Sequence, residues 1–207
     1  MSGNSIISFL FLASTYERYI MNLFYGVLMV KVSVFIGVSL DGFIARLDGN
    51  VDWLNEANKK VTPGEDFGFN SFLDSVDCIV MGRKTFEQVI TFNEWAYREI
   101  KMIVLTTKNI EIPNSLTGVV STSNLCNEEL MNQLIDDSIK HVYVDGGLVI
   151  QDFLSSGLVN EITVTIVPIL IGKGKSFSNS LTKDLNLTHL KTTIFNFGFV
   201  QNKYKVD

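Results

Sequence analysis

Two short segments of this 207-residue chain carry residue types suited to holding an anion. In Ile79-Val-Met-Gly-Arg-Lys-Thr-Phe-Glu87 an apolar run ends in a glycine, two cations and a hydroxyl, and helix-forming residues follow. A strand that turns into a helix there aims backbone N–H groups together with Arg83, Lys84 and Thr85 at one point, which is how a phosphate is bound. An ordinary turn with two solvated cations is spelled the same way. The Gly-x4-Gly-Lys-Ser/Thr spacing of a phosphate loop is absent. In Val142-Tyr-Val-Asp-Gly-Gly-Leu-Val-Ile150 a second apolar run turns through Gly146 and Gly147 into another predicted helix. Paired glycines let a backbone approach a pyrophosphate or a ring closely, and the helix start favours negative charge. Tight turns use the same pair, and no Gly-x-Gly-x-x-Gly fingerprint accompanies it.

These segments need rigid elements beneath them, and the pattern supplies candidates. Val30 to Gly37 is apolar on both faces, as a strand in the middle of a covered sheet would be. Cys78 to Met81, Lys101 to Leu105, Gly118 to Ser121 and His141 to Val144 read as further strands. Helices are predicted over Asp66 to Asp74, from Phe86 onward, over Glu128 to Ser138, and over Leu148 to Leu154 with Gly157 as its stop. Ile162 to Val167 alternates, and Thr192 to Val200 reads as one long aromatic strand, so the sheet is expected to end in an antiparallel pair. Strands alternating with helices and then pairing predict a mixed α/β sheet in one domain.

The bulk numbers narrow the function classes. Apolar residues make up 46% and charged residues 19% of the chain, with 3 prolines, which is a globular composition. A net charge of −5 gives no general attraction for nucleic acid or an anionic membrane, so any anionic ligand must be held locally. Cys78 and Cys126 show no metal or redox spacing, and a reducing cytoplasm is the simplest compartment. His141 and His189 fit no metal pattern, and no metal is expected. The apolar run Ile6 to Ala13 is far shorter than the ~20 residues that span a bilayer. A secretory signal would explain it, but no cation precedes it and the residues after it make a poor cleavage site. Residues 1–28 therefore read as an extension or leader, with the domain over 29–207.

Taken in order with Gly37-Val-Ser-Leu-Asp-Gly-Phe-Ile-Ala45 and with Gly157 to Phe177, the two segments closely resemble the dihydrofolate-reductase superfamily. The resemblance runs from about Met29 to Val200. It is nearest to the branch containing the C-terminal reductase domain of bacterial riboflavin biosynthesis proteins. It implies a mostly parallel sheet flanked by helices, antiparallel C-terminal strands, a small-molecule substrate, a homodimer, and NADPH as the hydride source.

By motif, Gly82, Arg83, Lys84 and Thr85 resemble the group that grips the cofactor phosphates. Thr106, Thr107 and Lys108 resemble the site of the adenosine 2′-phosphate. Gly146 and Gly147 resemble the pair packed on the cofactor, with Leu148, Val149 and Ile150 beside the pyrophosphate. Ser39, Leu40, Asp41 and Gly42 resemble a mobile loop closing over the nicotinamide. Two departures bear on the substrate: Phe43 stands where the riboflavin reductases usually have Lys, and Asp145 where they have Glu. Asp66 falls near the acid of the folate enzymes, although Glu65 and Asp66 also suit a helix start. Asp66 and Asp145 are thus the candidate proton donors, and Phe43 and Trp53 candidate walls of the substrate pocket, a large aromatic being more often core. The expected activity is reduction of a heterocyclic or ribosylamino-pyrimidine substrate, with pterin reduction and non-catalytic nucleotide binding as alternatives.

Overall fold

A computed structural model describes residues 30–92, 94–179 and 181–207. The apolar run Ile6 to Ala13 and the expected domain start at Met29 lie outside the described residues. The chain forms β1 (Lys31–Ser39), α1 (Asp52–Asn58), α2 (Phe69–Leu73), β2 (Cys78–Gly82), α3 (Arg83–Val89), β3 (Lys101–Leu105), β4 (Val120–Ser123), α4 (Asn127–Asp136), β5 (His141–Asp145), α5 (Gly147–Ser155), β6 (Glu161–Val167), β7 (Leu187–Ile194) and β8 (Val200–Val206).

The strands make one eight-stranded sheet in the order β4-β3-β2-β5-β1-β6-β8-β7. From β4 to β6 every pairing is parallel, and β8 then pairs antiparallel with both β6 and β7. The valine-rich β1 takes the inner position its two-sided apolarity predicts, with Val32 and Val34 almost fully buried. Its first residues, Lys31–Ser33, pair with β5, and Ser33–Ser39 pair with β6.

Helices cover both faces. On one, Leu130 and Leu134 of α4 and Val149, Ile150 and Phe153 of α5 pack on Val32, Val80, Val142 and Val144. On the other, Leu73 of α2 and Phe86 and Val89 of α3 pack on Ile79, Met81, Met102 and Val104. Burial of side chains of this size contributes roughly 1.5–3 kcal/mol each. Cys78 belongs to the first layer, and burial pushes its thiol up to about 12, so it stays protonated and inert.

The structure corrects the sequence reading at several elements, among them β4, which runs Val120–Ser123 rather than Gly118 to Ser121. The stretch from Thr192 to Val200 is a hairpin rather than one strand: β7 ends at Ile194, the chain turns, and β8 begins at Val200. The turn closes through Phe195 N–H to Phe199 O and Gly198 N–H to Phe195 O, with Gly198 at φ 95°. Its aromatic residues do not line a sheet face; Phe199 stacks on Phe67 and joins Trp53 and Val167 in a third apolar cluster. Next, α1 occupies Asp52–Asn58, where no helix is expected from the pattern, because only Trp53 on it is fully buried. Finally, α2 begins at Phe69 rather than Asp66, because the Asp66 carboxylate accepts the N–H groups of Gly68 and Asn70 across the helix start.

Candidate functional site

In an open parallel sheet the carboxyl ends of the strands, where the strand order reverses, form the natural crevice. Here β5 is inserted between β1 and β2, so the turns leaving β1, β2 and β5 converge. Thr85, in the first turn of α3, lies against Gly146: a Cβ built on Gly146 would sit 2.3 Å from Thr85 Oγ1. Gly146 also holds φ 92°, ψ 130°, a conformation open only to glycine. The next glycine is closed in from another side, since a Cβ at Gly147 would stand 2.6 Å from Ile44 Cδ1. At Gly82 the neighbour would be Val149 Cγ2 at 3.2 Å. Two of the predicted motifs therefore touch, and the β1 loop touches the second.

Beyond Thr85, the same helix turn reaches a cleft of about 390 Å³ lined by Arg83, Leu105, Thr106, Thr107, Lys108, Ser123, Asn124 and Leu125. The predicted triplet Thr106 to Lys108 and the predicted Arg83 thus share one depression. Thr106 shapes it, its Oγ accepting the Lys108 N–H at 2.9 Å while its own N–H donates to Ser123 O at 2.8 Å. Arg83 is bound bidentately by Glu87 one helical turn on, at 2.6 and 2.8 Å. Lys84 is exposed on the outer side of α3 and is absent from the cleft lining. Ser123, Asn124 and Leu125 escaped the sequence reading, which ended that strand at Ser121. The signal available was positional, since a fourth parallel strand beside β3 has to end at the same crevice.

The β1 loop is anchored. Leu40 N–H donates to Ile169 O, Gly42 N–H to Ser39 O and Phe43 N–H to Ser39 Oγ. Asp41 accepts N–H groups of Ile171 and Gly172, and hydrogen bonding, Ser39 first, holds its carboxyl below the usual range. Phe43 packs on Gly174, where a Cβ would approach its own Cβ to 2.8 Å. Trp53, 2% exposed, sits in the Val167–Phe199 cluster and its indole N–H has no partner among the described residues.

The two candidate acids differ in setting. Asp66 is half-buried; its oxygens accept the N–H groups of Gly68 at 2.8 Å and Asn70 at 2.9 Å, which hold its carboxyl below the ordinary range. Asp145 ends β5 and is raised above that range by burial, against hydrogen bonds from Tyr97, the Gly146 N–H and Tyr143. Leu148 is 75% exposed at the start of α5, whereas Val149 and Ile150 are buried under it. Among the described residues no group of three or more His, Cys, Asp or Glu could hold a metal ion, and no helix is long and apolar enough to cross a membrane.

An eight-stranded mixed sheet with this crossover pattern and crevice is the dihydrofolate-reductase-like fold. The structure of Enterococcus faecalis dihydrofolate reductase complexed with NADP(H) shares it at a TM-score of 0.56 and 14% identity, over 87% of this chain and 98% of that one. The family model described as the RibD C-terminal domain matches residues 30–200, and the chain belongs to that family of riboflavin-type reductases. A structure from Shewanella sp. PV-4, provisionally placed in riboflavin biosynthesis, matches with a TM-score of 0.78 and 30% identity, over 86% of this chain and 99% of that one. The uncharacterized protein YyaP of Bacillus subtilis strain 168 is 29% identical over 183 residues, 84% of this chain and 94% of the relative.

Proposed function

We propose that this chain is an NADPH-dependent reductase that hands hydride to a small heterocyclic or ribosylamino-pyrimidine substrate, as in the riboflavin branch of its family. One observation supports it most: the first turn of α3 joins two sub-sites, Thr85 against the Gly146–Gly147 turn and Arg83 in the cleft with Lys108. A dinucleotide with a phosphorylated ribose needs that layout, a close backbone approach for its pyrophosphate and a separate cationic recess for the extra phosphate. Gly82, Gly146, Gly147 and Thr85 would hold the pyrophosphate, with Leu148, Val149 and Ile150 supplying the helix start beside it. Arg83, Lys108, Thr106 and Thr107 would hold the 2′-phosphate, with Lys84 adding positive charge from the surface.

The bound cofactor supplies the hydride, and the protein supplies position and a dry surface. Ser39, Asp41 and Gly42 fix the loop that carries Phe43, which forms the substrate side, while Trp53, 2% exposed, packs in the core behind it rather than lining the pocket. The accompanying proton comes from water or from Asp145, the candidate carboxyl whose burial favours the neutral form. Asp66, held ionised by its backbone donors, orders α2 beneath the substrate side. A homodimer working in the cytoplasm completes this reading, and analytical ultracentrifugation tests the dimer.

Melting temperature measured against NADPH and NADH, followed by turnover on pyrimidine and pteridine substrates, tests the proposal. The expected result is a larger rise with NADPH and oxidation of NADPH by a ribosylamino-pyrimidine. No shift with either nucleotide would end the cofactor reading. Turnover on dihydropterins alone would move the chain to the folate branch.

A further inference from the structure

The connection between α3 and β3 carries Tyr97 into the interior, where the residue is 7% exposed. The loop is tied down at both sides of it. Trp95 donates its indole N–H to Arg98 O at 2.7 Å, and the Arg98 guanidinium reaches Asn70 Oδ1 at 2.9 Å and the Asp74 carboxylate of the α2 end. Arg98 itself holds φ 54°, a left-handed conformation kept by these contacts. The Tyr97 ring packs among Phe69, Trp95 and Tyr143. Its hydroxyl donates to Asp145 Oδ2 at 2.6 Å. The other oxygen of that carboxyl accepts the Gly146 N–H at 2.7 Å. Tyr143 offers less, because its hydroxyl donates to Phe35 O at 3.0 Å.

We propose that Tyr97 is a positioning residue for the cofactor turn: through Asp145 it draws the Gly146 N–H inward and leaves the following amides of α5 facing the crevice. The inference rests on the cofactor reading and adds to it a residue outside every motif. Gly146, at φ 92° and ψ 130°, is a glycine with many backbone conformations open to it, so its neighbours must select this one. Thr85 walls it on one side, and the Tyr97–Asp145 hydrogen bond fixes it from the other. The titratable groups acting on Asp145 are Tyr97 from this loop and Tyr143 from β5; among the described residues no Lys or Arg pairs with it. Removing the phenol donor leaves a carboxyl that protonates more readily and holds the Gly146 N–H less firmly.

Tyr97→Phe keeps the ring and deletes the hydroxyl. Three measurements read the result: the Gly146 amide resonance by NMR, the pH at which that resonance and the Asp145 carboxyl titrate, and NADPH affinity. The variant is expected to shift the Gly146 amide, to move the titration midpoint upward, and to weaken NADPH binding on the order of 10-fold, as for loss of one buried hydrogen bond. In an Asp145→Asn background the same change should add little further loss. An unchanged Gly146 resonance and midpoint in folded Tyr97→Phe, or fully additive losses in the double variant, would overturn the proposal. If the wild-type protein binds no NADPH while the Gly146 resonance still moves in the variant, the cofactor reading falls and the positioning of the turn by Tyr97 stands.

Discussion

At the scale of single residues, Arg83 and Lys108 are the pair on which cofactor choice depends. Both face the cleft with Thr106 and Thr107, and hydrogen bonds to charged groups contribute roughly 1.5–3 kcal/mol. Replacing both with Ala should reduce the preference for NADPH over NADH on the order of 10- to 100-fold, read by titration calorimetry; an unchanged ratio places the 2′-phosphate elsewhere. Gly146→Ala makes a sharper test. The new Cβ meets Thr85 Oγ1 at 2.3 Å and an unfavourable φ of 92°, so stability should fall by about 1–3 kcal/mol from the backbone alone, and NADPH affinity should fall with it. Gly157 is the control: its φ is also positive, at 68°, but open space surrounds it, so Gly157→Ala should lower the melting temperature and leave affinity intact. That Arg83, Thr85, Lys108, Gly146 and Gly147 gather at one crevice was legible in the sequence as glycines and cations next to strand ends, a pattern that ordinary turns share. Tyr97 was not, because nothing in Glu94 to Ile100 shows which distant carboxyl a tyrosine will meet.

Elements tell a similar story. Strands with both faces buried announced themselves as apolar runs, and β1, β2, β3 and β5 lie where those runs predict. The hairpin of β7 and β8 did not, since Thr192 to Val200 alternates without a strong turn signal and only Gly198 marks the bend. Its turn is nevertheless part of the core: Phe199, 1% exposed, stacks on Phe67 and touches the cluster of Trp53. Phe199→Ala should cost about 3–5 kcal/mol, measured by urea unfolding, and a loss below 1 kcal/mol would mean the turn is dispensable. His141 joins three segments at the other end of the sheet, through Ser33 Oγ at 2.8 Å and Ser75 O at 2.7 Å. Burial lowers its pKa from 6.5. The unfolded chain therefore takes up the proton first, so stability is full above about pH 6.5 and declines as the pH falls below it. Melting curves from pH 7.5 to 5 should show that decline in the wild type and a smaller one in His141→Gln.

For the molecule as a whole, cofactor binding and stability are one equilibrium. NADPH at 100 times its dissociation constant should stabilise the fold by about 2.7 kcal/mol, a rise in melting temperature of roughly 5–11 °C for a chain of this size. A flat melting profile across an NADPH titration would contradict a preformed cofactor crevice. The sheet order has a further consequence, for how the chain comes to be folded at all. The first strand finds its partners far along the sequence, Lys31 beside His141 and Val34 beside Ile162, and the side chains of Ser33 and His141 meet across 108 positions. On a ribosome, the hydrophobic centre of the protein must wait for most of the chain to emerge. Contacts so remote in sequence slow the search for the native state, so refolding from denaturant should take milliseconds to seconds, and a nascent chain halted before His141 should remain a client of chaperones.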